Sequence, residues 1–160
     1  MRPPSAEFPR SLVVFTLDAQ RYAIPLAAVE RVFPTAEITL IPKAPEIVLG
    51  VVDIRGRVVP VVDIRGRFRL PEREPEIYDH MIVASMGKRA VAFVVDGATG
   101  VLEIPESEIT ALADLLPGTE YVEGVVRLPD GLILIHDPET FLSLEEEKLL
   151  DRAMRDSQEA

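Results

Sequence analysis

The sequence predicts an all-β protein made of two similar five-strand units, and three observations carry that expectation. Short runs rich in valine and isoleucine recur at close spacing, turn residues punctuate them, and one hairpin-sized stretch occurs twice, which together is the pattern of barrels and sandwiches. Hydrophobic residues make up 48% of the chain but aromatic residues only 6%. The core must therefore be built from Val, Ile, Leu and Ala, and clustered β-branched residues favour sheet.

In the first half, strands are expected at Leu12 to Asp18, Arg21 to Ile24, Glu30 to Phe33, Ile47 to Arg55 and Val58 to Asp63. The second set runs at His80 to Met86, Arg89 to Asp96, Gly100 to Ile104, Tyr121 to Leu128 and Leu132 to His136. Gly87-Lys88 and Pro129-Asp130-Gly131 have the residue types of hairpin turns. The duplication appears when Gly50-Val-Val-Asp-Ile-Arg-Gly-Arg-Val-Val-Pro-Val-Val-Asp63 is laid over Gly124-Val-Val-Arg-Leu-Pro-Asp-Gly-Leu-Ile-Leu-Ile-His-Asp137, an ungapped offset of 74. Starting glycines, apolar strand positions, the polar turn and closing aspartates all coincide, so the chain reads as two copies of one five-strand barrel. A shorter echo, Val51 to Arg57 against Val61 to Arg67, shares the string VVDIRGR but lies too close for a structural repeat.

The tail reads as helix over 138–156. Asp137 before Pro138 suits an N-cap followed by proline at the first helical position, and Ser143 with Glu146 forms a capping box. Phe141, Leu142, Leu149 and Met154 are expected to pack on the barrels while the glutamates face water. Residues 1–10 read as a flexible N-terminus, and 11–156 as a single domain with strands over roughly 12–65 and 78–137.

Composition excludes several classes. Cysteine is absent, which removes disulfides, thiolate zinc sites and thiol nucleophiles and fits a reducing compartment. The N-terminal MRPPSAEFPRS lacks the apolar run of a secretory signal, and no stretch approaches the roughly 18 apolar residues of a membrane span. A cytoplasmic protein with no direct membrane insertion is expected. A net charge of −10 argues against nucleic acid, whose binding rests on cationic neutralisation of phosphates. His80 and His136 alternate with apolar neighbours and suit edge or core positions better than a metal or acid-base site. Ser85 has no nucleophile elbow around it, and no phosphate loop or dinucleotide fingerprint follows any strand. Neither an enzyme nor a cofactor is indicated, which leaves exposed β-edges and apolar patches as the working surface.

Four stretches together resemble the CheW family of bacterial chemotaxis coupling proteins: Phe15-Thr-Leu-Asp-Ala-Gln-Arg-Tyr-Ala-Ile-Pro25, Gly50 to Arg65, Val94-Val-Asp-Gly97 and Glu120-Tyr-Val-Glu-Gly124. The second is the most specific, being similar to the family pattern G-V-x-N-L-R-G-x-x-x-P-x-x-D-L-R. The resemblance implies two intertwined five-stranded SH3-like barrel lobes with a short C-terminal helix. It also implies an adaptor that bridges the cytoplasmic tips of methyl-accepting chemoreceptors to the regulatory domain of the histidine kinase CheA, placed at the receptor array through those partners.

Carried onto this chain, the resemblance implies receptor contacts from Val29 and Val32, close backbone approach at Gly50, and a polar contact from Arg55, which could instead merely fix the turn before Gly56. The expected kinase contact falls on Gly124 with Leu112, Leu115 and Leu116, leucines that would equally suit core packing. Two positions depart from the family. Asp53 stands where asparagine is usual, and Arg31 stands where an acidic partner for the motif arginine is common; Glu30 is adjacent but should face the other way in a regular strand. A specialised paralogue that binds receptor without kinase, or a small-molecule-binding β-barrel regulator, are the competing readings.

Overall fold

A computed structural model describes residues 9–74, 76, 78–111 and 122–159. Among these residues eleven strands occur: β1 (Arg10–Leu17), β2 (Gln20–Pro25), β3 (Val29–Pro34), β4 (Val48–Ile54), β5 (Arg57–Val62), β6 (His80–Ser85), β7 (Ala90–Val95), β8 (Gly97–Ile104), β9 (Ile109–Thr110), β10 (Val122–Leu128) and β11 (Gly131–His136). Two helices join them, α1 (Ile64–Arg67) and α2 (Leu144–Glu159). All ten expected strands are present, and the two-residue β9 is the addition.

The strands divide into a six-stranded sheet, β8-β1-β2-β11-β10-β9, and a five-stranded sheet, β3-β6-β7-β5-β4. These sheets do not follow the sequential division into 12–65 and 78–137. The first lobe takes β1 and β2 from the first half and β8 to β11 from the second; the other lobe is the contiguous segment β3 to β7. The chain changes lobe twice, through the 3-10 turn Leu26–Ala28 and through Asp96 alone. That exchange is what intertwines them.

The repeated hairpin is a repeated structure. In β4–β5, Val48 faces Val62 and Gly50 faces Val61, with a bulge between Val48 and Gly50. In β10–β11, Val122 faces His136 and Gly124 faces Ile135, with a bulge between Val122 and Gly124. Every one of these positions is displaced by the same offset found in the sequence. Each hairpin then joins a parallel neighbour, β11 to β2 and β5 to β7.

Burial on both faces explains the nearly continuous apolar runs. Along β1, Leu12 and Val14 point into the first lobe, while Val13, Phe15 and Leu17 enter a core shared between lobes. Along β6, Met81 and Val83 point into the second lobe and Ile82 and Ala84 into the shared core. Seven buried residues from β1, β2, β8, β10 and β11 fill the first lobe's own interior, so that sheet must curl around it. The shared core is the aromatic one: Phe93 lies 5.6 Å from Phe15 and 5.5 Å from Phe141, ring centre to ring centre.

The tail bears out its capping signals and corrects its helical phase. The Ser143 N–H donates to Glu146 Oε1 at 2.8 Å while the Glu146 N–H donates to Ser143 Oγ at 3.1 Å, a reciprocal capping box. The Asp137 side chain accepts from the Glu139 N–H and caps the 3-10 turn Pro138–Thr140. With the helix starting at Leu144, Leu150 is fully buried and Leu149 is 41% exposed, so Leu150 takes the core place expected of Leu149. Nor does every glutamate face water: Glu146 Oε1 accepts from Arg67 at 2.5 Å.

The echoed heptapeptide adopts two structures. Val51 to Arg57 runs from strand into a tight turn, whereas Val61 to Arg67 runs from strand into α1. In both copies the aspartate carboxylate accepts from the glycine N–H three residues on, at 2.7 Å for Asp53–Gly56 and 3.0 Å for Asp63–Gly66. The local hydrogen bond suits turn and helix N-cap alike, so tertiary context decides between them.

Candidate functional site

The tip of the β4–β5 hairpin is a two-residue turn, since Ile54 pairs with Arg57. Arg55 and Gly56 both sit at left-handed φ, 54° and 87°, as a type I′ turn requires. Asp53 accepts from Gly56 N–H across this turn. A carboxylate thus fills the acceptor role that an asparagine amide oxygen could fill, and the departure from the family pattern leaves the turn intact. The Arg55 side chain is exposed beyond it.

Between this tip and β3 lies a groove of about 310 Å³, lined by Glu30, Arg31, Ile54, Arg55, Arg57, Val59 and Val83. Val59 and Val83 belong to the second lobe's interior, so the groove is the open end of that lobe. Glu30 Oε2 accepts from Arg57 Nη1 at 3.0 Å. The expectation that Glu30 faces away from its neighbour is overturned. Val29 pairs with Ala84 and Arg31 with Val83, leaving Glu30 as the extra residue of a bulge, and Glu30 and Arg31 both line the groove.

Of the four expected receptor contacts, Arg55 alone is among the residues that line it. Arg55 lines the groove, and Val29 and Val32 lie on β3, the strand that forms its other wall. Val32 is 38% exposed; Val29 is half-buried and packs on the shared core. Gly50 is buried within β4. A Cβ there would stand 2.3 Å from the Thr39 carbonyl oxygen and 2.8 Å from Ile38 Cγ2, so the close approach it permits is made by this chain itself.

Of the expected kinase contacts, Leu112, Leu115 and Leu116 lie outside the described residues. Gly124 is the counterpart of Gly50: its Cβ would stand 2.7 Å from Ile109 Cγ2 and 3.1 Å from the Thr110 carbonyl oxygen. An Ile-Thr pair therefore crosses each hairpin glycine. Residue reasoning missed a second matched pair, Val58 at 49% exposure and Leu132 at 47%, each beside a hairpin turn and each on a different lobe. Their signal was the coincidence of apolar residues at outward-facing positions in both copies.

Where the lobes meet, five charged groups form a continuous chain. Arg65, on α1 and only 8% exposed, donates through Nη2 to both carboxylate oxygens of Asp96 at 2.8 and 2.9 Å and pairs with Asp18 at 2.8 Å. Arg73 pairs in turn with Asp96 and with the buried Asp79, at 2.9 Å to the latter. Asp18 lies in the β1–β2 turn of the first lobe and Arg65 in the second, with Asp96 at the crossover between them. Burial alone would raise the Asp96 carboxyl, but hydrogen bonds from Arg65, the Asp18 N–H and Arg73 outweigh it and hold the group below the usual carboxylate range.

A depressed carboxyl stabilises the fold fully above the unfolded-state value, about 4, and that contribution is lost as pH falls through the lower folded-state value. Thermal melts between pH 6 and pH 3 should therefore show the melting temperature falling below about pH 4. Asp96→Asn should melt lower at pH 6 and show a shallower acid slope; parallel slopes would remove Asp96 from the account.

An open cleft of about 500 Å³ adjoins these charges, with Leu49, Val62, Ile64 and Val94 as its apolar lining. Its arginines, Arg65 and Arg73, are already held by carboxylates of the chain, and Asp63, Glu72, Glu74 and Asp79 complete its lining. His136 stacks on Phe68 at 4.0 Å and sits among Tyr22 and Phe141 as part of the aromatic core. His80 opens β6 and is half-buried. Among the described residues no cluster of three His, Cys, Asp or Glu side chains is placed to hold a metal ion.

Two lobes sharing one repeated hairpin, tied by an ion-pair chain around the buried Arg65 and exposing a groove and matched apolar spots, define a β-sheet scaffold. The chain belongs to the CheW family of chemotaxis coupling proteins: the CheW-like domain model matches residues 11–146. It is 30% identical over 151 residues to the chemotaxis protein CheW of Klebsiella aerogenes, covering 91% of this chain and 89% of that one. To the chemotaxis protein CheW of Thermotoga maritima it is 34% identical over 124 residues, 76% of this chain and 80% of that one. The crystal structure of the scaffolding protein TtCheW from Thermoanaerobacter tengcongensis superposes with a TM-score of 0.78 at 27% identity, covering 86% of this chain and 95% of that one. A stretch of 126 residues is also 28% identical to the chemotaxis protein CheA of Bacillus subtilis, taking in 78% of this chain but 18% of that protein.

Proposed function

We propose that this chain is a non-enzymatic adaptor that couples chemoreceptor signalling tips to the regulatory domain of CheA, acting in the cytoplasm at the receptor array. The observation that carries this reading is the double match, to CheW proteins over most of their length and to one segment of CheA. A fold shared by adaptor and kinase lets both present equivalent lobe ends, which suits side-by-side assembly. The receptor contact is assigned to the groove between β3 and the β4–β5 tip, with Arg55 on its lining, Gly50 holding the β4 wall in shape, and Val29 and Val32 on β3 outside the lining as the contact's apolar margin. A helix docks on such a surface by laying apolar side chains into it. The kinase contact is assigned to the end of the first lobe around Gly124, with Leu112, Leu115 and Leu116, which lie outside the described residues, as its further members. No helix among the described residues is long and apolar enough to cross a membrane.

Titration calorimetry of the chain, separately with a receptor signalling fragment and with a CheA regulatory domain from the same organism, tests the reading. Binding to both at micromolar concentration is expected. Binding to the receptor alone would mark a kinase-blind adaptor, and binding to neither would reject coupling.

A further inference from the structure

We infer that the groove at the open end of the second lobe selects a helix that carries carboxylates beside its docking apolar residue; this rests on the receptor contact proposed above and names its chemistry. Three arginines and one glutamate line the groove over an apolar floor of Ile54, Val59 and Val83. Glu30 is engaged by Arg57 at 3.0 Å. Arg31 and Arg55 are exposed and have no salt-bridge partner among the described residues, leaving two free cations at the rim of a chain whose net charge is −10.

The hairpin does not need the Arg55 cation. The matching hairpin of the first lobe has the same register and the same bulge, yet its turn reads Pro129-Asp130-Gly131 where this one reads Arg55-Gly56-Arg57. There Asp130 is paired with Arg21 at 2.9 Å. Arg55 moreover occupies a left-handed position, φ 54°, where glycine, asparagine or aspartate would sit more easily. A residue kept at a conformational cost in a turn that its own duplicate builds without it is a candidate for binding. Arg31 adds the second charge from β3, at a place where the family commonly carries an acid. An incoming helix therefore meets a positive rim around an apolar floor, and charge complementarity favours glutamate or aspartate flanking the inserted side chain while disfavouring lysine.

The test uses the full chain, a receptor signalling fragment and two synthetic amphipathic helices with identical leucine faces, one flanked by glutamates and one by lysines. The glutamate helix should displace the receptor fragment at a concentration at least tenfold lower than the lysine helix. Arg31→Glu/Arg55→Glu should weaken fragment binding at least tenfold and reverse the order of the helices, while Arg127→Glu, on the first lobe's hairpin, should change neither. Arg55→Asn separates binding from folding, since asparagine suits the left-handed turn: its melting temperature should hold or rise while fragment affinity falls. Equal displacement by the two helices, or undiminished fragment binding by both groove variants, would overturn the inference and leave the coupling function standing. Failure of the wild-type chain to bind the fragment at all would overturn both.

Discussion

Gly50→Ala is expected to destabilise the protein by about 3 to 5 kcal/mol, combining overpacking with the strain of a positive φ for a residue bearing Cβ. The added carbon would lie 2.3 Å from the Thr39 carbonyl oxygen, an atom of the backbone that itself accepts from Val51 N–H at 2.8 Å. Neither partner can retreat without breaking the bridge between residues 39 and 51. Gly124→Ala is the internal control. There the backbone obstacle, the Thr110 carbonyl oxygen, stands 3.1 Å away, the closest atom is the side-chain carbon Ile109 Cγ2 at 2.7 Å, and no positive φ adds strain, so the cost should be closer to about 1 to 2 kcal/mol. Urea unfolding of the two variants measures the difference directly; equal effects would show that the crossing segments at 38–39 and 109–110 yield alike. A Gly50→Ala protein that melts like wild type but loses receptor binding would instead give Gly50 a direct part in the contact.

Arg65→Met carries the second large effect, a loss of about 3 kcal/mol. Removing one member of a buried ion pair typically costs 3–5 kcal/mol, and the lower end applies because only Arg65 is buried, Asp18 and Asp96 being partly exposed, and Asp96 keeps Arg73 as a partner. The damage should be directional, because Arg65 ties Asp18 of the first lobe to the crossover at Asp96. Hydrogen exchange in Arg65→Met should accelerate at the β1–β2 turn and around residues 65–73 before it changes in β6 or β10. Uniform acceleration would mean that the clamp contributes only to global stability.

The strands and hairpin turns were legible because alternation, β-branched clusters and turn residues act locally. So was the duplicated hairpin, whose bulges at Gly50 and Gly124 follow from the aligned glycines. Lobe membership was not legible: with both faces of β1, β6 and β7 buried, Leu12 and Val13 look alike in sequence although they enter different cores. The short α1 was hidden by its identity with the strand-turn heptapeptide ten residues earlier. Glu30 was misplaced because a bulge breaks the period of two on which facing was judged. In the candidate site, Arg55 and β3 were singled out through the family pattern, whereas the ion pairs of Arg65 depend on partners at positions 18 and 96 that no local pattern connects.

Coupling requires that both partners be held at once. Sedimentation velocity on a mixture of the chain, a receptor signalling fragment and a CheA regulatory domain tests this most directly. A ternary species containing all three is the predicted result, with its receptor contact weakened by Arg31→Glu/Arg55→Glu while the kinase contact survives. Mutually exclusive binary complexes would contradict the coupling role, because a chain whose partners displace one another cannot connect them.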